Sequence, residues 1–240
     1  MSKFRKTAIK ALVGSHNYNL NDINSDKDYK YFVYPLFNDL YSGTFYNFSN
    51  TSDDCDYTIH DIRKLPELCK KANINFLEVL FSKELEVNCE ILSYFIEDYK
   101  NDIAKMNISY LISACHGMYF NKMKYLEKGT ATTLKLVKSF GYDTKQALHA
   151  YRCLDFIERF IEFDLDFQKA LEYSLAESIQ LLNIKHGLYS KDAFDELIKY
   201  KYKKFEKYLE LKNTFEFNQQ LYETLCDYVK DSVKNNLGMF

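Results

Sequence analysis

The pattern of hydrophobic and polar positions changes near residue 90. Before that point, short β-prone runs occupy residues 7–13 and 28–35, and residues 56–60 predict another short strand. Residues 39–54 are rich in Ser, Asn, Asp and Thr and predict an irregular loop. The first part of the chain therefore predicts a small mixed sheet.

Apolar residues recur at helical spacing through most of the remaining chain. Two shorter helical segments precede this region, at residues 62–72 and 74–81. Gly129, Gly141 and Gly187 lie between predicted helices and are expected to end them. The longer helices are predicted at 88–104, 108–128, 130–140, 144–162, 166–183, 190–211 and 217–235.

The composition favours the same architecture. The chain has 240 residues, of which only 7 are Gly and 2 are Pro, and 17% are aromatic. Collagen-like, linker-rich and all-β sandwich chains fit this scarcity of turn-forming residues poorly. We expect an α+β fold in which residues 1–90 form an α/β head with the small mixed sheet and residues 91–240 form a mainly helical domain.

Cysteine usage and hydropathy bear on the cellular environment. The six cysteines are scattered, with no C-x-x-C pair and no spacing that suits zinc, so reduced thiols in the cytoplasm are expected. No run approaches about 18 uncharged apolar residues, so the sequence predicts no membrane span.

Charge is unevenly distributed along the chain. The total is −2, with −2 over residues 1–90, +4 over 91–152 and −4 over 153–240. This balance argues against a global polycation that coats nucleic acid. An acidic site facing a basic middle segment would suit a metal and a polyphosphate, although ordinary helical proteins show such splits by chance.

The most informative segment begins at Gly14-Ser15 and ends at Asp26-x-Asp28. A strand that ends in Gly-Ser exposes backbone N–H groups and a hydroxyl that can bind phosphate oxygens. Two carboxylates at i and i+2 of a strand project from one face, where they can hold Mg²⁺. Each element alone is common, but together they predict phosphoryl transfer.

This spacing resembles the signature of the DNA polymerase β superfamily of nucleotidyltransferases, in which Gly-Ser binds the nucleotide phosphates and the two acids hold the metal ions. The chain further resembles the predicted RNA-repair-pathway polymerase β family. The matching segments are GSHNYNLNDINSDKDYKYFVYP, DYTIHDIRK from Asp56, NINFLEVLFS from Asn73, KQALHAYR from Lys145 and LNIKHG from Leu182.

Three positions depart from the family pattern. Asn19 replaces a small residue, Lys30 replaces the arginine after D-x-D, and Ile74 replaces a proline. Lys30 keeps the charge but loses the bidentate fork with which an arginine would hold phosphate or acceptor. Asn19 tolerates left-handed backbone better than most residues, so the loop need not be broken.

The resemblance implies a third metal-binding acid on a neighbouring strand. Asp56, which opens the β-like run DYTIH, is our candidate, and Asp53, Asp54 and Asp61 are the alternatives. Within the block that begins at Asn73, Glu78 has two interpretations: a residue of the family motif, or a structural partner for a basic residue.

Lys145, His149 and Arg152 share about 60° of one helix face. A solvent-exposed polar stripe is the simple interpretation. The family resemblance instead implies that this face binds the triphosphate, with Arg152 as the strongest contact. Lys64 is a weaker candidate for the same role, and an ordinary surface lysine is its alternative.

We therefore expect a Mg²⁺-dependent nucleotidyltransferase, with Mn²⁺ as the alternative ion. It would transfer an NMP from an NTP such as ATP to an acceptor hydroxyl, with an RNA end as one candidate acceptor, and release pyrophosphate. The expected metal ligands and catalytic acids are Asp26, Asp28 and Asp56, and the helical domain is expected to cover the cleft. The rival hypothesis is a non-catalytic nucleotide- or RNA-binding regulator, or an interaction protein of a toxin–antitoxin or phage system. The oligomeric state is left open.

Overall fold

A five-stranded mixed sheet forms the N-terminal part of the protein. The computed structural model describes residues 4–23, 25–50 and 56–238. Among the described residues the strand order is β3-β4-β2-β1-β5, in which β2 and β4 pair in parallel and the other neighbours pair antiparallel. This architecture confirms the predicted α+β fold. The strands are β1 (Thr7–Val13), β2 (Asp28–Val33), β3 (Asn47–Asn50), β4 (Asp56–Asp61) and β5 (Leu85–Val87).

Helices make up most of the rest of the chain. Short 3-10 segments at Ile62–Lys64, Glu78–Phe81 and Lys212–Thr214 adjoin some of them. The helices are α1 (Ser15–Tyr18), α2 (Phe37–Tyr41), α3 (Leu65–Lys70), α4 (Ile74–Leu77), α5 (Glu90–Lys105), α6 (Ile108–Lys124), α7 (Leu134–Phe140), α8 (Thr144–Glu162), α9 (Phe167–Leu171), α10 (Leu175–Lys185), α11 (Lys191–Leu211) and α12 (Gln219–Leu237).

Two predictions about local structure were wrong. The described part of 39–54 is not wholly a loop, because it contains the end of α2 and all of β3, which forms by pairing with β4. The helix predicted at 166–183 is two helices. The hydroxyl of Ser174 accepts the N–H of Glu177 in a capping box, so a new helix starts there.

The chain divides into two compact units. The sheet unit comprises the described residues of Met1–Asn17, Asn21–Asn107 and Phe217–Phe240, and the helical unit comprises Tyr18–Leu20 and Ile108–Glu216. This division differs from a single boundary at residue 90. The reason is that α5 and α12 pack on each other inside the sheet unit, although they are far apart in sequence.

The two faces of the sheet have different environments. Phe32 is fully buried on one face, together with the polar residues Asp28 and Lys30 at alternate positions of β2. On the other face, the rings of Tyr31 and Tyr57 lie 5.9 Å apart and both are half-buried. The first face is therefore the one that combines core packing with charge.

Helix α8 is the central element of the helical unit. It packs against α6, α10 and α11, so most of its surface is buried, including Arg152 and Arg159. Among the described residues, no helix is both long enough and apolar enough to cross a membrane.

Candidate active site

Gly14 lies directly between strand β1 and helix α1, with φ at +76°. Its neighbour Val13 is the register partner of Asp28 on β2. A Cβ atom on Gly14 would lie 2.5 Å from the Asp28 carboxylate oxygen Oδ2. Glycine is therefore required here both for its backbone conformation and for the close approach of this carboxylate.

The Gly14 turn is held by buried groups of the segment that follows α4. The N–H of Gly14 donates to Glu78 Oε2 at 3.2 Å, and Glu78 is only 2% exposed. Asn17, fully buried, accepts the N–H of Lys83 at 3.1 Å. Lys30 Nζ lies 3.8 Å from Glu78 Oε1. Glu78 is thus a structural partner of a basic residue, one of the two interpretations of the sequence.

Asp26 lies outside the strand that carries Asp28. Strand β2 begins at Asp28, and Asp26 is an exposed residue of the preceding loop. The alternation that would align the two carboxylates therefore does not extend to Asp26. His16 bonds to the carbonyl oxygen of Ser25 at 2.9 Å, which ties the loop to α1.

Asp56 is aligned with Asp28. The two residues are register partners at the starts of the parallel strands β2 and β4, so their side chains project from the same face. Asp61 has a different role, since it is fully buried, caps the following 3-10 segment and pairs with Arg63 at 2.6 Å. Asp53 and Asp54 lie outside the described residues. By register Asp56, and not Asp61, is aligned with Asp28, so Asp56 stays the candidate third acid.

Asp28 and Asp56 offer the carboxylate oxygens that a divalent cation such as Mg²⁺ prefers. Within residues 4–23, 25–50 and 56–238, no three His, Cys, Asp or Glu side chains are arranged as a set of metal ligands. Mg²⁺ commonly takes one or two protein carboxylates and fills its shell with phosphate oxygens and water. Asp28 and Asp56 fit that requirement by chemistry and by register.

His60 lies on the same face of β4 as Asp56 and Thr58. Its ring packs against Phe76 at 5.2 Å. Burial and the nearby charges of Lys30 and Lys64 lower the pKa of His60 to about 4. Lys64 lies with its ammonium 5.3 Å from the ring of Phe45, so part of its charge faces an aromatic ring.

The predicted helical trio belongs to a cationic cluster of the helical unit. Burial and the charges of Arg152, Lys122, Lys145 and Lys185 hold the pKa of His149 well below its ordinary value. We use the name cationic cluster for the four basic residues whose charges act on His149. Lys122 and Lys185 come from α6 and α10, so only packing of these helices on α8 brings them to the predicted trio.

Arg152 is not part of an exposed stripe. It is 4% exposed, and its guanidinium stacks on the ring of Tyr18 at 3.8 Å. Lys145 is exposed on the same helix. The simple interpretation of an exposed polar stripe is therefore wrong for Arg152, and its stacking on Tyr18 was not predicted.

The comparison with protein families agrees with these observations. A model of the RNA repair pathway DNA polymerase beta family matches residues 6–232. The chain belongs to this family. No curated protein matches the chain. Membership makes the chain a polymerase β-like protein, and the family is one of nucleotidyltransferase type.

One departure of this polymerase beta family member from the pattern is accommodated structurally. Asn19 has φ of +62°, the left-handed conformation that asparagine tolerates. Its side-chain amide donates to the carbonyl oxygen of Tyr173 at 3.0 Å. Nearby, Lys185 Nζ donates to the carbonyl oxygen of Leu20 at 3.3 Å. The segment Tyr18–Leu20 is thus fixed within the helical unit.

Proposed function

We propose that the protein is a divalent-metal-dependent nucleotidyltransferase that moves an NMP from an NTP to an acceptor hydroxyl. The observation that carries this proposal is the alignment of Asp28 with Asp56 on adjacent parallel strands, with Gly14 packed against the Asp28 carboxylate. Membership in the polymerase beta family supports the same reaction class. An RNA end is the proposed acceptor, in keeping with the family's description.

Asp28 and Asp56 would hold Mg²⁺ or Mn²⁺, and Asp26 is a further proposed ligand from the adjacent loop. When bound, such an ion neutralises phosphate charge and stabilises the entering and leaving oxygens. Ser15 would donate its hydroxyl to a phosphate oxygen. Within the helical unit, Lys145 is the exposed member of the cationic cluster and a further proposed phosphate-binding residue.

In the proposed reaction the acceptor oxygen bonds to the α-phosphorus while the bond from that phosphorus to the bridging oxygen breaks. Pyrophosphate leaves with the electron pair of that bond. Asp56 accepts the proton of the acceptor hydroxyl on a carboxylate oxygen and passes it to solvent. Asp56 is half-buried and not fully buried, which is compatible with this exchange.

A transfer assay tests the proposal. The protein is incubated with each α-labelled NTP, Mg²⁺ or Mn²⁺, RNA and cell lysate, and label is followed onto RNA, protein and small molecules. Asp28→Asn and Asp56→Asn should each reduce transfer by at least ~100-fold. Asp102→Asn, an exposed residue of α5 paired with Lys105, is the matched control and should keep full activity.

The outcomes separate the two hypotheses. Label on RNA that depends on Asp28 and Asp56 supports the proposed acceptor, whereas label on protein or a small molecule keeps the reaction and replaces the acceptor. Nucleotide binding without transfer to any of these would favour the non-catalytic regulator. Transfer that survives both substitutions would contradict the assigned site.

A further inference from the structure

Glu78 is a buried carboxylate whose two oxygens serve different partners. Oε2 accepts the N–H of Gly14 at 3.2 Å, and Oε1 lies 3.8 Å from Lys30 Nζ. The side chain is 2% exposed, so each partner contributes to satisfying a charge that water does not reach. One side chain therefore joins the turn after β1 to strand β2.

The backbone of Glu78 contacts the same turn a second time. Its carbonyl oxygen accepts a hydrogen bond from Asn17 Nδ2 at 3.4 Å. The other side-chain atom of Asn17, Oδ1, accepts the N–H of Lys83. The first and fourth residues after strand β1, Gly14 and Asn17, are thus both fixed to the segment 78–83.

Lys30 follows Asp28 by two positions on β2, so both side chains lie on one face. Its ammonium lies 5.5 Å from the ring centre of Phe76 and its side chain is 15% exposed. These contacts direct Lys30 towards Glu78. They account for a lysine at a position where the family pattern has arginine, because a single point charge is enough to neutralise one carboxylate oxygen.

From these contacts we propose that Glu78 is a positioning residue for nucleotide binding, which fixes the Gly14–Ser15 turn against the strand that carries Asp28. This inference rests on the proposed nucleotidyl transfer. The role of Gly14 is then to leave room for the Asp28 carboxylate, and its N–H does not bind phosphate because Glu78 already accepts that N–H. Contact with phosphate from this turn is assigned to Ser15, and Lys30 acts on the site only through Glu78.

The test compares Glu78→Ala and Glu78→Gln with the exposed Glu67→Gln, whose side chain is 48% exposed on α3. The first readout is hydrogen exchange of the Gly14 amide, followed by NMR, with the Ala11 amide of the same strand as internal reference. Glu78→Ala should speed exchange at Gly14 at least ~10-fold relative to Ala11. Glu78→Gln keeps an acceptor oxygen and should cause a smaller increase, and Glu67→Gln should cause none.

The second readout is the Kd for each ribonucleoside triphosphate with Mg²⁺. Glu78→Ala should raise the Kd at least ~10-fold, and the pair Glu78→Gln with Lys30→Met should bind more tightly than Lys30→Met alone, since it leaves no buried charge unpaired. Unchanged exchange at Gly14 in a folded Glu78→Ala protein would overturn the inference. A raised Kd without faster exchange would overturn it too.

The two proposals fail in different ways. A wild-type protein that binds no triphosphate would refute the nucleotidyl transfer, and the role of Glu78 in nucleotide binding with it. If wild type binds triphosphate and Glu78→Ala binds it equally well, only the positioning inference fails. Should Glu78→Ala not fold, Glu78→Gln and its pairing with Lys30→Met decide by the same two readouts.

Discussion

Lys30 in the sheet unit and Lys201 in the helical unit are both withdrawn from water beside carboxylates, but their carboxylates have different second partners. Lys30 pairs with Glu78, whose other oxygen accepts a backbone N–H of the turn at Gly14. Lys201 lies 2.5 Å from Asp155 Oδ1 and also pairs with Glu158. The second oxygen of Asp155 accepts the hydroxyl of Tyr173 at 2.9 Å.

The second partners indicate what each buried charge does. Around Lys201 every group is a side chain, so the network ties α11 to α8 and to Tyr173. Although burial lowers it, the charge of Asp155 and the hydrogen bonds to both acids raise the pKa of Lys201 above its ordinary value. Around Lys30 the network ends, through Glu78, on the backbone N–H of Gly14, which lies against Asp28. Similar ion pairs therefore stabilise helix packing in one unit and position a candidate site in the other.

The largest expected effect is the loss of Lys201. Lys201→Met leaves the largely buried Asp155 without its cation and Glu158 with only Lys204, and should lower the free energy of unfolding by about 3–5 kcal/mol. Lys204→Met removes a 45% exposed lysine that also faces Glu158 and should change it by less than about 1 kcal/mol. Urea denaturation measures both. Equal effects would remove the contrast between buried and exposed lysines in this unit.

Gly14→Ala tests the close approach in the sheet unit, and Gly43→Ala is its matched control. Both residues have positive φ, but a Cβ at Gly43 meets nothing within 4 Å, whereas at Gly14 it meets Asp28. In both variants, backbone strain should lower the free energy of unfolding by about 1 kcal/mol. In Gly14→Ala alone, overpacking against Asp28 should lower the free energy of unfolding by about 1 kcal/mol more. This variant should also lose most of its transfer activity. Similar stabilities and activities in the two variants would contradict the role assigned to the Asp28 contact.

The pKa of His60 tests whether the charge of Lys30 acts on the sheet face that carries Asp28 and Asp56. Its folded pKa of about 4 lies below the unfolded value, so the unfolded state binds more protons between pH 6.5 and 4. Stability should therefore fall as pH falls through that window, by about 1 kcal/mol given the partial exposure of the ring. NMR titration should show that Lys30→Met raises the pKa of His60 and that Lys201→Met does not. If Lys30→Met left the pKa of His60 unchanged, the charge of Lys30 would not be a cause of that low pKa.

The smallest effect concerns a neutral contact of the helical unit. Ser174→Ala removes the capping box of α10 and should lower the free energy of unfolding by about 0.5–1 kcal/mol, with no change in nucleotide binding. Thermal unfolding and the triphosphate Kd check this. A loss of nucleotide affinity would show that the start of α10 affects more than helix stability.

Local sequence signals predicted most elements of the fold. Thr7–Val13 and Thr144–Glu162 have the predicted boundaries, because β-branched runs and uninterrupted helical periodicity act within a few residues. The three-residue strand Leu85–Val87 was missed, since so short a strand exists only through its pairing with β1. The break at Ser174 did have a signal, the S-x-x-E pattern of a capping box.

In the candidate site, too, local sequence signals predicted some features and strand pairing decided others. The Gly-Ser and D-x-D spacing, read by itself, already pointed to Gly14 and Asp28 as neighbours of a phosphate and a metal. The sequence did not decide among Asp53, Asp54, Asp56 and Asp61, because strand register is set by pairing across the sheet. The strand predicted at 28–35 already left Asp26 outside, as β2 does, although the D-x-D argument placed both acids on one strand.

The sequence by itself predicted most of the helices and strands and offered Gly14, Ser15 and Asp28 as candidate residues for phosphoryl transfer. Only the tertiary structure aligned Asp56 with Asp28, fixed Glu78 on the N–H of Gly14 and brought the charges of Lys122 and Lys185 close enough to lower the pKa of His149. The reason is that hydrophobic spacing and turn residues act locally, whereas register, burial and charge pairing arise between segments far apart in sequence.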